Sequence, residues 1–270
     1  MAEFVLSSFA DEAAESFSEQ LRISKKYGIR HIEMRTVDGR NVSALSPAEC
    51  AELKNALDES GVSVSAIGSP YGKISIHDPF GPHLEAFKRT VECAGVLGAR
   101  YIRLFSFYID GGRSPEECED AVLERLSRFL QNAGGLVCAH ENESGIYGDT
   151  APRNKKIADA FGGRMKLVFD PANYIQCGQD ALEAYSLLEE HIEYMHVKDA
   201  VAESKLVVPA GMGDGHLREI LRRFSQKGGR RFLSLEPHLK VFAGFEKLEA
   251  AGGTTRFAEF AYKSSEEAYA

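Results

Sequence analysis

The sequence predicts an α/β chain folded as a single (β/α)8 TIM barrel over residues 1–270, on three observations. Short β-rich runs alternate with amphipathic stretches almost from end to end, and eight such runs fit within about 250 residues, the usual size of this architecture. The last four runs each end in an Asp, Glu or His, where a parallel barrel gathers its functional groups. No GxGxxG follows the first run, so the fingerprint of the rival doubly wound sheet is missing.

The expected strands, in order, are EFVLSSF (3–9), HIEMR (31–35), VSVSAIGS (62–69), YIRLFSFY (101–108), LVCAHEN (136–142), KLVFDPA (166–172), EYMHVKD (193–199) and RFLSLEPH (231–238). Each carries Val, Ile, Phe or Tyr, the residues that suit a pleated, half-buried surface. Between them lie helical stretches such as SPAECAELKNALDESG, HLEAFKRTVECAGVLGA and SPEECEDAVLERLSRFLQNAGG. Two of these open on Ser-Pro followed by Glu, a helix-start signal, and several close on Gly. Two connections are longer than the rest: 199–215 and the tail after 238. A last helix begins in the closing SSEEAYA.

Composition narrows the class. Hydrophobic residues make up 44% and charged residues 27%, as in globular proteins with a substantial core. The net charge of −8 lowers the expectation of a nucleic-acid partner. No long apolar span or signal-peptide pattern occurs, so neither a membrane nor a secreted protein is expected. Five cysteines without a CxxC pair point to reduced thiols in the cytoplasm, not to a zinc ribbon or disulfide framework. Cys93 and Cys138 read as small core residues.

Strand alternation then selects side chains. Val137, Ala139 and Glu141 share the interior face, and Glu143 follows where SGIYGD is already turning into loop. Asp170, His196 and Glu236 end the next three strands, each preceded by an apolar residue (Phe169, Met195, Leu235) that can face the helices. Any one of the four could be a polar strand end satisfied locally. Four converging on one rim need a cation, and the mixed oxygen and nitrogen set suits one divalent metal ion: Mn²⁺, Mg²⁺, Co²⁺ or Zn²⁺.

The segments HENE, FDPAN, HVKD and SLEPH resemble those of the xylose isomerase-like TIM-barrel family of sugar phosphate isomerases and epimerases. The resemblance extends through GSPYGKI (68–74), YIRLFSFY, IYGDTAP (146–152) and VVPAGMGDG (207–215). It implies that Glu141, Asp170, His196 and Glu236 are metal ligands and that Glu141 and Glu236 are also the acid/base pair. The implied reaction is proton transfer beside a carbonyl, through a metal-stabilised enediolate, in a sugar, sugar phosphate or sugar derivative. The ketose 3-epimerase members carry His where Asn173 stands, Arg where Ala202 stands and Glu where Tyr147 stands, so the hydroxyl-recognition set differs here. Arg103, Asn173, Lys198 and His238 are the candidates for substrate contact, with the cations able to hold a phosphate or carboxylate unless they pair with the site's own acids or, for Lys198, with Asp199. Lys73 could also reach the mouth. GMGDGHL (211–217) reads either as an anion cradle or as a turn with Asp214 capping a helix. His140 is expected either to support the neighbouring Glu141 from behind or to face the helices, and His31, His77, His83 and His191 to be loop or helix-surface residues. The partner expected is a small-molecule carbohydrate, with no nucleic acid and no membrane, and with a homo-oligomer left open. The same scaffold also hosts inosose- or dehydroshikimate-type dehydratases and endonuclease IV-like DNA repair enzymes; the latter use more histidines than this chain offers.

Overall fold

The computed structural model describes residues 1–240, 256–257 and 262–270. Eight strands form one sheet: β1 (Glu3–Ser8), β2 (His31–Met34), β3 (Ser63–Ile67), β4 (Tyr101–Leu104), β5 (Val137–Glu141), β6 (Lys166–Phe169), β7 (Ile192–Val197) and β8 (Arg230–Leu235). They pair in parallel, each with the next in sequence from β2 to β8, and β8 returns to β1. The register sets Glu141 beside Val168 and His196 beside Ser234. All eight expected strands are present. Several stop short of the predicted end because the chain leaves the ladder at the mouth. After β4, Phe107 takes the left-handed region (φ 65°), and after β6, Asp170 caps a helix that opens on Pro171.

The helices lie between the strands: α1 (Phe17–Lys26), α2 (Pro47–Ser60), α3 (Phe80–Leu97), α4 (Pro115–Gln131), α5 (Ala151–Ala160), α6 (Pro171–Gln176), α7 (Ala181–Leu188), α8 (Leu217–Ser225) and α9 (Ser265–Tyr269). The two Ser-Pro starts become capping boxes, Ser46 with Glu49 and Ser114 with Glu117. Each satisfies two backbone donors that a helix start otherwise leaves open. Outward residues of the strands pack on the helices; Phe169, Met195 and Leu233 meet Tyr174, Tyr185 and Phe224. Inward, Ala66, Tyr101, Ala139, Val168 and Tyr194 fill the lower barrel.

The barrel has a seam. β1 and β2 are the two ends of the sheet order, without a ladder between them. Ser65 of β3 bridges it, its hydroxyl 2.6 Å from the Ser7 hydroxyl of β1 and donating to the Ile32 carbonyl of β2 (3.0 Å), and α9 covers the neighbouring edge, with Tyr269 packed among Ala13, Ile23, Ile29 and Leu235. Helix α9 is the helix expected in SSEEAYA; the parts of the expected tail at 241–255 and 258–261 lie outside the described residues. No helix among the described residues is long and apolar enough to cross a membrane.

Candidate active site

The four strand-end residues converge. Glu141, Asp170, His196 and Glu236 are all buried and offer one donor atom each, with these atoms within 4.8 Å of one another. Each arrives by a different local route. Glu141 is the last residue of β5. Asp170 follows β6 and splits its carboxylate: Oδ1 accepts from the Asn173 backbone at the start of α6, which leaves Oδ2 for the cluster. Asn142 clamps the two strand ends together, donating to the Asp170 carbonyl (2.9 Å) and accepting from its backbone N–H (3.0 Å).

His196 is held from two sides. Its Nε2 lies 3.1 Å from Glu33 Oε2, and Glu33 Oε1 accepts from the Tyr194 hydroxyl at 2.9 Å. Its Nδ1 faces the cluster, 2.9 Å from Glu141 Oε1, 3.3 Å from Glu236 Oε2 and 3.8 Å from Asp170 Oδ2. Carboxylates only accept, so Nδ1–H donates to Glu141 as Nε2–H donates to Glu33; without its proton, Nδ1 would face the cluster as a metal ligand does. Burial opposes charge on this ring, but Glu141, Glu33 and Glu236 outweigh it and hold its pKa well above the ordinary value. Glu236 responds the other way: burial raises its pKa, and Lys198, His238 and His196 bring it well below the usual carboxylate range.

The residues present fit a divalent cation. Asp11, Glu12, Glu33, Glu141, Asp170 and Glu236 are buried at this end of the barrel, against three permanent cations, Arg35, Arg103 and Lys198. Such a surplus of buried carboxylate charge is costly without a further positive partner. Glu141 Oε2 and Asp170 Oδ2 have cations nearby but no aligned hydrogen-bond donor. Bound there, a divalent ion would supply Lewis-acid stabilisation of negative charge developing on a substrate oxygen.

The cations expected to grip a substrate anion are engaged with the site's own acids. Arg103 Nη1 lies 3.1 Å from Glu141 Oε2, with its guanidinium against Phe9 and Phe105. Lys198 Nζ lies 2.8 Å from Asp170 Oδ2 and 3.3 Å from Glu236 Oε2. His238 Nε2 lies 3.2 Å from Glu12 Oε1 and 3.6 Å from Glu236 Oε1. Asn173 donates from Nδ2 to the Asn142 carbonyl (2.9 Å), with Glu141 Oε1 at 3.5 Å, so its amide braces the ligand strand. Glu143 stays in the loop and pairs with Lys73 (2.9 Å), whose ammonium lies over Phe105. Tyr147 turns away, its hydroxyl donating to Glu119 at 2.6 Å. His140 faces the helices, as expected. His31 is half-buried at the start of β2, and His83 is half-buried on α3. His31 meets Phe232 edge-on, and His83 Nε2 accepts from the Gly72 backbone at 2.9 Å.

Sequence reasoning missed Arg35, Asp11, Glu12 and Glu33. Arg35 forms a fork onto Asp11 (2.8 and 3.1 Å) and reaches Glu12 (3.3 Å) and Glu236 (3.1 Å). It therefore joins the ends of β1, β2 and β8. The signal was there: ADE follows β1 and Arg35 follows β2, the same polar strand-end pattern that marked the later strands.

The glycine-rich loop also departs from expectation. Its amides hold no external anion, because Asp199 fills the cradle. Asp199 Oδ2 accepts from Gly211 (2.9 Å) and Gly213 (3.0 Å), and Oδ1 from Gly215 (2.9 Å) and Ala200 (2.9 Å). A Cβ on Gly213 or Gly215 would stand 2.5 or 2.6 Å from Asp199 Oδ1, so both positions require glycine. Asp214 does not cap α8; it accepts from the Ala202 backbone at 2.7 Å. Asp199 thus turns away from Lys198 and leaves that ammonium to the cluster. Asp199→Ala is expected to strip these amides of their acceptor. Hydrogen exchange should show lost protection at Gly211, Gly213 and Gly215, and denaturant melts a loss of about 2–4 kcal/mol. Unchanged protection at those three glycines would contradict this account of the loop.

A parallel eight-stranded barrel with a carboxylate and histidine cluster at the C-terminal ends of its strands defines the class of protein. Within that class, the sequence model of the xylose isomerase-like TIM barrel matches residues 21–253, and the chain belongs to that family. Solved structures share the fold at low identity. The probable 3-DHS dehydratase AsbF of petrobactin synthesis from Bacillus anthracis superposes with a TM-score of 0.69 at 17% identity, over 87% of this chain and 92% of that one. A xylose isomerase-like TIM-barrel protein from Mycobacterium smegmatis, in complex with magnesium, gives 0.69 at 18% identity, over 93% and 95%. A D-tagatose 3-epimerase-like protein gives 0.70 at 17% identity, over 86% and 90%. No curated protein matches the sequence.

Proposed function

We infer that the protein is a divalent-metal-dependent isomerase or epimerase of a small sugar, sugar phosphate or sugar derivative, acting by proton transfer beside a carbonyl. The observation that carries this reading is the pairing of two buried carboxylates, Glu141 and Glu236, with Asp170 and His196 in one cluster on four successive strands. In this reading all four residues hold the metal. Glu141 and Glu236, three strands apart round the barrel, also remove and return the proton. Arg103 orients Glu141, and Arg35 orients Glu236, through the ion pairs described above. With Arg103, Lys198 and His238 all paired to acids, an uncharged ketose or ketone fits better than a phosphorylated one.

One observation favours a second reading. A probable 3-DHS dehydratase shares this fold, and the same proton abstraction beside a carbonyl can be followed by loss of a hydroxyl. The product's mass separates the two outcomes, since only dehydration loses water. The central test is metal analysis of the purified protein together with a panel of ketoses, sugar phosphates and inosose-type ketones incubated in D₂O. Metal-dependent deuterium incorporation at the carbon beside the carbonyl is expected, and is lost on chelation. A protein that binds no divalent metal and exchanges no carbon-bound proton would sink the reading.

A further inference from the structure

Lys198 lies within the cluster, not beside it. Its Nζ touches Asp170 Oδ2 and Glu236 Oε2, and these two residues supply half of the four-donor set. The other two permanent cations are held elsewhere as well. Arg35 forks onto Asp11 and reaches Glu12, and Arg103 lies against Phe9 and Phe105 with Nη2 3.5 Å from the Ser69 carbonyl. The contacts described for the Lys198 ammonium are with carboxylates of the donor set. An ammonium and a divalent ion repel each other and draw on the same oxygens, so each weakens the other's hold on these two carboxylates.

The side chain also has somewhere to go. Lys198 lines a cavity of about 270 Å³ with Val197, Val208, Pro209, Leu239 and Tyr262. Its four-carbon stem is flexible, in contrast to the fork of Arg35.

We propose that Lys198 is an internal competitor for the divalent cation. It neutralises Asp170 and Glu236 whenever no cation is bound, and it swings away from them toward the cavity when one binds. This rests on the reading that the four donors hold a metal. The device trades metal affinity for a barrel mouth that folds without uncompensated carboxylates.

The test is titration of the chelator-treated protein with Mn²⁺, followed by electron paramagnetic resonance of the free ion, with melting curves taken alongside. Lys198→Met, similar in length but neutral, is expected to bind Mn²⁺ roughly ten- to a hundredfold tighter than the unmodified protein, a change of the size produced by groups that contact metal ligands. It should also melt lower than the unmodified protein under chelation and gain more from added Mn²⁺. Lys198→Arg, which keeps the charge, should bind much as the unmodified protein does. If Lys198→Met folds only when Mn²⁺ is supplied, the proposal is supported; if it folds under neither condition, Lys198→Gln takes its place in the same comparison. Should the unmodified protein bind Mn²⁺ and the neutral variants bind it no tighter, the competition is overturned while the metal reading stands. If neither the unmodified protein nor the variants take up Mn²⁺, both fall.

Discussion

Glu141→Gln and Glu236→Gln are each expected to lower turnover by about 10³-fold, and to differ in which proton they fail to move. A carboxylate acting as general acid or base contributes typically 10²–10⁴-fold, and glutamine keeps the shape while losing the base. If the enzyme is a two-base epimerase, each variant should still exchange deuterium into one epimer and not the other, because one face of the substrate keeps its base. In an aldose–ketose isomerase, a single base serves both steps, and only one of the two variants should lose exchange altogether. Both residues belong to the donor set, so each variant must be assayed with its metal content measured and Mn²⁺ in excess. Full activity in both metal-loaded variants would remove Glu141 and Glu236 from the chemistry.

Arg35→Met is expected to have the largest effect on stability, about 3–5 kcal/mol, because it leaves Asp11, Glu12 and Glu236 buried with a cation missing. For a chain of this length, that corresponds to a fall in Tm of about 10 °C. The loss should be local before it is global. Arg35 joins the end of β2 to the turn after β1, where the sheet has no ladder, so hydrogen exchange should rise first in β1 and β2. The control is Arg22→Met, which removes an exposed pair with Glu19 worth little in water. Equal melting temperatures for the two variants would show that the Arg35 network is not what closes the seam.

The fold was legible because the alternation of strands and helices is a local property, repeated eight times. The caps were legible for the same reason, since Ser46 and Ser114 act within one turn of chain. Half of the site was legible too: Glu141, Asp170, His196 and Glu236 follow from strand parity and the rule that barrel chemistry sits at strand ends. The rule was applied only to the last four strands, and it would equally have marked ADE after β1 and Arg35 after β2. What sequence could not reveal is pairing across the barrel. The partner of Arg103 is 38 residues away in Glu141, and nothing local distinguishes a cation free to grip a phosphate from one already spent on a carboxylate. The loop at 211–215 failed for a related reason. Its glycines announce a ring of amides, but the carboxylate that fills it comes from Asp199, on the far side of the 200–210 segment.

One consequence follows from the two-sided grip on His196. Its Nε2 is fixed by Glu33, which is in turn held by Tyr194, and both groups are buried inside the barrel. The ring's tilt and tautomer are therefore decided when the barrel closes, not when anything enters the site. The rotational entropy of orienting it is lost once, during folding, and is absent from every later turnover. In that sense the lower barrel is part of the preorganisation of the upper one.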